Sequence, residues 1–254
     1  GQLSSGSAVS VASGARLMLA GAETVRQMDA DGSVALGGDL IATNALRLRG
    51  AVSSAGAVAL KAGQQIDATN SGNRFGDTLS LDAGGRITLD AGTDAGGPRA
   101  LSLGTVTAAD GGRIDAGSLN LLGAMNVNGG TLELAAAAPA QGEAPGADVL
   151  GRLATGLPIA FAADGVAQAT GSRIAVANGA SLAVTAANGA SVQLAQAGNS
   201  FLGQLSVVTG TAGTAWSVNA TPLSFGGASQ SYAVQSRVRV AGSTRINVKI
   251  SEQS

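Results

Sequence analysis

The chain has 254 residues, of which 39 are Gly and 5 are Pro, with aromatic residues at 2% and charged residues at 12%. A formal net charge of −1 offers no basic surface for nucleic acid. The absence of Cys and His removes disulfides, thiolate and imidazole metal ligands, and the commonest general base.

Apolar residues make up 45% of the chain, mostly Ala, Val and Leu. That is too aliphatic for a disordered chain and too poor in aromatics for a thick core, but it suits the thin layers of a stacked solenoid. Gly1 to Ser7 read as the interior of a longer chain. No basic-then-apolar start and no apolar run of about 18 residues signals a leader or a membrane span.

From Leu17 onward, apolar residues recur as aliphatic-x-aliphatic triplets. They are Leu17/Leu19, Val34/Leu36, Leu46/Leu48, Val58/Leu60, Leu79/Leu81, Ile87/Leu89, Leu101/Leu103, Leu119/Leu121 and Leu132/Leu134. A period of two predicts short strands, and the Gly-Gly, Asn-Gly, Asp-Gly and Ser-Gly pairs between them predict tight turns. No apolar stripe has helical spacing, so almost no helix is expected. Residues 58–69 align with 79–90 at a shift of 21, placing Leu79 over Val58, Leu81 over Leu60, Gly84 over Gly63 and Ile87 over Ile66. Such a period predicts parallel stacking, each strand above its equivalent one coil earlier, in about ten coils.

The triplets lapse at Ala135-Ala-Ala-Ala-Pro-Ala-Gln-Gly-Glu-Ala-Pro-Gly146 and return at Ile174/Val176, Leu182/Val184, Val192/Leu194 and Leu205/Val207. Pro and Gly predict a loop protruding from the rod at about 135–172. Residues 135–156 are the expected binding element, because recognition concentrates in irregular loops on rigid scaffolds. Strict alternation in Ser231–Val240 and Thr244–Ile250 predicts a hairpin, so the expected organisation is a β-helix over 1–220 and a β-hairpin cap, or the start of a further β module, over 221–254.

One phrase occurs twice. Gly72-Asn73-Arg74-Phe75-Gly76 and Gly198-Asn199-Ser200-Phe201-Leu202-Gly203 are each followed by Leu-Ser-aliphatic, and their asparagines stand six nominal periods of 21 apart. Asn73 and Asn199 are read as corner residues that satisfy turn backbone groups, with Phe75 and Phe201 plugging the interior. These phrases, together with the Ala/Gly/Val/Leu/Thr texture and the lack of Cys, resemble the coils of filamentous haemagglutinin-type exoproteins. The resemblance covers about residues 8–210. It implies a right-handed single-stranded parallel β-helix, secreted to the surface of a Gram-negative bacterium through an outer-membrane partner pore. It also implies adhesion to a glycan or protein of host or bacterial surfaces, or to exopolysaccharide in biofilm. The family's secretion domain is not visible in the chain, and the residues after Thr221 depart from the coil pattern.

Chemistry is sparse. Asp82, Asp90 and Asp94 have the hard oxygen donors of a calcium site, but the Gly-Gly-x-Gly-x-Asp pattern is missing and turn chemistry accounts for them. The 4 Glu, at 23, 133, 143 and 252, form no evident pair for glycoside hydrolysis, and the lack of His leaves Ser without its usual base. An enzyme is therefore not expected, and no cofactor or metal. Arg237, Arg239, Arg245 and Lys249 are candidates for a basic ligand-binding stripe, and Trp216 for stacking on a sugar ring. Two alternatives to the adhesin are the stalk of a contact-dependent toxin and a polysaccharide-degrading β-helix enzyme.

Overall fold

The structure is a computed structural model. It describes residues 3–95, 97–136, 166–186, 192–194, 196, 199–209, 216–218 and 246–248. The described residues form strands and turns without a helix, and nearly all pairings are parallel.

The chain runs in circuits of three strands. The first holds β1 (Ala8–Val11), β2 (Arg16–Leu19) and β3 (Glu23–Val25), and the second β4 (Gln27–Ala30), β5 (Ser33–Leu36) and β6 (Leu40–Ala42). The third holds β7 (Leu46–Leu48), β8 (Val52–Ser54) and β9 (Val58–Ala62), and the fourth β10 (Ile66–Ala68), β11 (Arg74–Phe75) and β12 (Leu79–Ala83). The fifth is irregular: β13 (Ile87–Asp90), a small antiparallel hairpin of β14 (Thr93–Asp94) and β15 (Gly97–Pro98), and the long β16 (Leu101–Ala108). The sixth holds β17 (Gly112–Ala116), β18 (Leu119–Leu121) and β19 (Ala124–Val127), and the seventh β20 (Thr131–Ala136), β21 (Val166–Gln168) and β22 (Arg173–Val176). The eighth holds β23 (Ser181–Ala186), β24 (Val192–Leu194) and β25 (Ser200–Phe201), and beyond it come β26 (Gln204–Thr209), β27 (Trp216–Val218) and β28 (Ile246–Val248).

Each first strand stacks on the first strand of the preceding circuit, giving a nine-stranded sheet β1-β4-β7-β10-β13-β17-β20-β23-β26. At ~4.8 Å per step this sheet rises about 38 Å. The second face is a four-stranded sheet that ends at β11, and the third is a branched sheet of thirteen strands. All-β, parallel and stacked, the arrangement is compatible with a β-solenoid. The match of 58–69 with 79–90 holds residue by residue: Leu79 pairs with Val58, Leu81 with Leu60 and Ile87 with Ile66.

The period of 21 is local. Within the nine-stranded sheet, equivalent residues lie as close as Met28 and Leu46 and as far apart as Ile87 and Gly112, and the pair Leu132 and Leu182 brackets the insertion. In the fifth circuit, a bulge in β16 sets Leu103 on Leu79 but Val106 on Leu81. The two halves of β16 then carry separate strands, β18 on Leu101–Leu103 and β19 on Val106–Ala108. This is where the third sheet branches.

Of the loop expected at about 135–172, Ala135 and Ala136 complete β20, Val166–Gln168 is a strand paired with β18, and 137–165 lie outside the described residues. Within the expected cap, Ile246–Val248 adds a parallel strand to β27, and the rest of 221–254 lies outside the described residues.

The core is a set of axial rows. Leu40, Leu60, Leu81, Val106, Met125 and Ile174 stack in register and are all buried. Another row runs through Met28, Leu46, Ile66, Ile87, Gly112 and Leu132. Gly112 interrupts its aliphatics for a geometric reason: its φ is 131°, and a Cβ there would collide with the Ile87 backbone. Leu81→Ala, in mid-row, is expected to cost about 2–5 kcal/mol in urea unfolding. A cost below about 1 kcal/mol would mean that the row is not close-packed.

Candidate functional site

Polar side chains concentrate at two kinds of place, the corners between strands and the outward surface of the nine-stranded sheet. The repeated asparagines occupy the corners. Asn73 follows β10 and precedes β11, with 0% exposure. Its Oδ1 accepts from Val52 N at 2.8 Å, one circuit earlier, and its Nδ2 donates to Ala68 O and to Asp90 O, each at 2.8 Å. One side chain thus ties three successive circuits together. Gly92 sits over it with φ 89°, where a Cβ would strike the Asn73 carbonyl oxygen.

Asn199 repeats the geometry between β24 and β25, again at 0% exposure. Its Oδ1 accepts from Ile174 N at 2.9 Å, its Nδ2 donates to Leu194 O at 3.0 Å, and the Gln168 side chain both donates to and accepts from its amide at 2.6 and 2.8 Å. In both copies the carbonyl partner lies five residues earlier. In both, the N–H partner belongs to the strand beneath, one residue before the first position paired across.

Two features differ from the sequence-based expectation. The asparagines are the buried members, whereas Phe75 and Phe201 are half-buried against the core. The cause is position: β11 is the last strand of the second face and β25 the last of its branch, so no described strand covers either phenylalanine from above. The two copies also lie four circuits apart, in the fourth and the eighth, so their even division by 21 is a coincidence of the insertion. Sequence reasoning missed Gln168, which stands in a stretch where the apolar triplets lapse and so carried no signal of its own.

The outward row of the nine-stranded sheet reads Ser10, Asp29, Arg47, Asp67, Thr88, Arg113, Glu133 and Ala183 in register. Arg47 pairs with Asp29 at 3.3 Å, Arg113 with Glu133 at 2.7 Å and with Asp115 at 2.6 Å, and Arg49 with Asp31 at 2.6 Å. The Gln27 amide donates to Asp29 and accepts from Asn44 at 3.0 Å, extending the network. The Gln27 hydrogen bond, followed by Arg47, holds the Asp29 carboxyl below its usual range against the partial burial that opposes ionisation. Hydrogen bonds to Asp115 and then Glu133 raise Arg113 above its ordinary value. Opposite signs neighbour one another along the row, so this part of the face is compensated rather than a patch of one sign. Partly exposed pairs of this kind contribute about 0–1 kcal/mol each.

The three aspartates considered for calcium do not converge. Asp82 stands on β12 opposite Lys61 and Thr107, Asp90 caps its own turn by accepting from Gly92 N at 2.7 Å, and Asp94 pairs with Arg99 at 3.1 Å on the hairpin. Among the described residues, no group of three or more acidic side chains is placed to hold a metal ion. Nor does any described helix have the length and apolarity to cross a membrane. Arg237, Arg239, Arg245 and Lys249 lie outside the described residues. Trp216 begins β27, in register with Val192.

Comparison with protein-family models, curated proteins and solved structures returned no match. The reading of this chain therefore rests on its own residues.

Asn73→Ala is expected to cost on the order of 3 kcal/mol in chemical unfolding, because it strands the Val52 N–H and two carbonyls in the interior. Exposed Arg74→Ala should stay within about 0.5 kcal/mol. Equal effects would refute the corner assignment. For Asp29 the folded-state value is depressed, so its stabilisation is complete above the ordinary carboxylate value of about 4 and is lost as pH falls through the lowered value. The stability gap between the wild type and Asp29→Asn should therefore narrow on acidification over that window, and a constant gap would contradict the assignment.

Proposed function

We propose that this chain is a rod segment of a secreted bacterial surface adhesin, with a structural and a binding role. In this reading the fold is a right-handed single-stranded parallel β-helix of the filamentous haemagglutinin type. The observation that carries the proposal is the in-register parallel stacking of nine successive first strands, with apolar rows inside and a charge-compensated polar row outside. An architecture that grows by adding circuits gains length, and length holds a binding surface away from a cell. The repeated Asn-x-Phe corners and the lack of Cys support the family resemblance, and with it export through an outer-membrane partner pore and residence at the surface of a Gram-negative bacterium.

Ala136 ends β20 and Val166 begins β21 of the same circuit, so the residues between them are tethered at both ends to the stack. We assign adhesion to this insertion. The test coats beads with the purified chain and with a variant lacking residues 138–150, and scores binding to epithelial cells and to biofilm matrix. Loss of binding with unchanged β-sheet circular dichroism is the expected outcome, and full binding by the deletion variant would sink the assignment. A crystal structure with left-handed circuits would overturn the fold reading.

A further inference from the structure

Three turns of the stack share one build. In Ala12-Ser13-Gly14-Ala15, Ala169-Thr170-Gly171-Ser172 and Ala177-Asn178-Gly179-Ala180, the fourth residue's N–H donates to the first residue's carbonyl at 3.0, 3.2 and 3.0 Å. The glycines have φ of 78, 82 and 81°. Only the third turn places a side-chain amide next to the glycine nitrogen. There Gly203 of the next circuit packs against the carbonyls of Ala177 and Ala180, pinning both ends of the turn. The tip is free: Asn178 and Gly179 are exposed, and nothing lies within 4 Å of a Cβ position on Gly179. The Gly179 N–H has no partner among the described residues, whereas that of Gly171 donates to Gln196 Oε1 at 3.3 Å.

We propose that Asn178 is a site of spontaneous deamidation in the folded protein, so that this turn gains a carboxylate with time. The Gly179 amide nitrogen gives its proton to solvent base and attacks Asn178 Cγ. The new N–Cγ bond closes a five-membered succinimide, and the Cγ–Nδ2 bond breaks. The nitrogen leaves as ammonia, taking its extra proton from solvent. Water then opens the ring at either carbonyl, leaving aspartate or isoaspartate. No oxidant or reductant takes part. Glycine permits the attack because it has no side chain to obstruct it, and asparagine is among the thermolabile residues.

Three other described asparagines are protected by the fold to different degrees. Asn73 and Asn199 are buried, have both side-chain amide groups bonded, and precede Arg74 and Ser200 rather than glycine. Asn128 precedes Gly129 and is exposed, but its N–H donates to Ala108 O at 2.9 Å. Gly129 rests on the Ala109 carbonyl, and the Gly130 carbonyl accepts from Ser181 N at 2.8 Å. That turn is held from both sides along the stack. Asn188-Gly189 has the same dipeptide and lies outside the described residues.

The test incubates the folded chain at mildly alkaline pH and follows each asparagine by peptide mapping, reading the mass change of an amide becoming an acid together with isoaspartate content. Conversion at Asn178 should run ahead of Asn128, with Asn73 and Asn199 unchanged, and Asn178→Gln should abolish the signal from its peptide. In urea the preference for Asn178 over Asn128 should disappear. An intact Asn178 beside a converted Asn128 overturns the proposal. So does an unchanged preference in urea, because local sequence and not the free turn would then be selecting the site.

Discussion

Parallel stacking at one strand spacing is the constraint on which the rest depends. Each residue of a circuit lies directly above its counterpart, so every position along the axis must suit both neighbours as well as its own surroundings. Apolar residues fall into continuous rows such as Leu40–Leu60–Leu81–Val106–Met125–Ile174, where each inner member is covered on both sides by another apolar side chain. Small aliphatics then suffice for a dry interior, which explains how a chain with so few aromatics has a core. The same rule sets the outer face: Asp29 next to Arg47 and Arg113 next to Glu133 turn an unavoidable proximity into attraction, where like charges would repel.

Corners are where this rule is hardest to satisfy, because the backbone changes direction and leaves its polar groups without ladder partners. The Asn73 and Asn199 amides replace those partners, bonding to main-chain groups above, below or within their own circuit. Both corners precede a two-residue strand that ends its stack among the described residues. The repeated phrase therefore marks the edge of a stack as well as a corner. At that edge a phenylalanine is left half-covered.

The fifth circuit shows what happens when the cross-section changes. The second face stops at β11, a hairpin steps out at 93–98, and one extra residue in β16 splits the third sheet in two. A bulge achieves this at little cost, because it disturbs one rung while the first sheet continues through β13 and β17. Asn73 thus sits where the first face meets the second, whereas Asn199 joins two branches of the third sheet. The corner device is local and works wherever two short strands meet at an angle.

The sequence by itself determined that the chain is built of short strands, that 58–69 lie beneath 79–90, and that turns carry Gly and Asn. Alternation and turn propensity involve only neighbouring residues, so they are legible without a fold. Only the tertiary structure decided that circuits vary in length, that the two Asn-x-Phe phrases lie four circuits apart, that Val166–Gln168 belongs to the stack, and that Asn is buried while Phe is half-exposed. Those outcomes depend on which strand lies above which, a long-range relation that small, repetitive side chains specify only through the closure of every circuit on the one before.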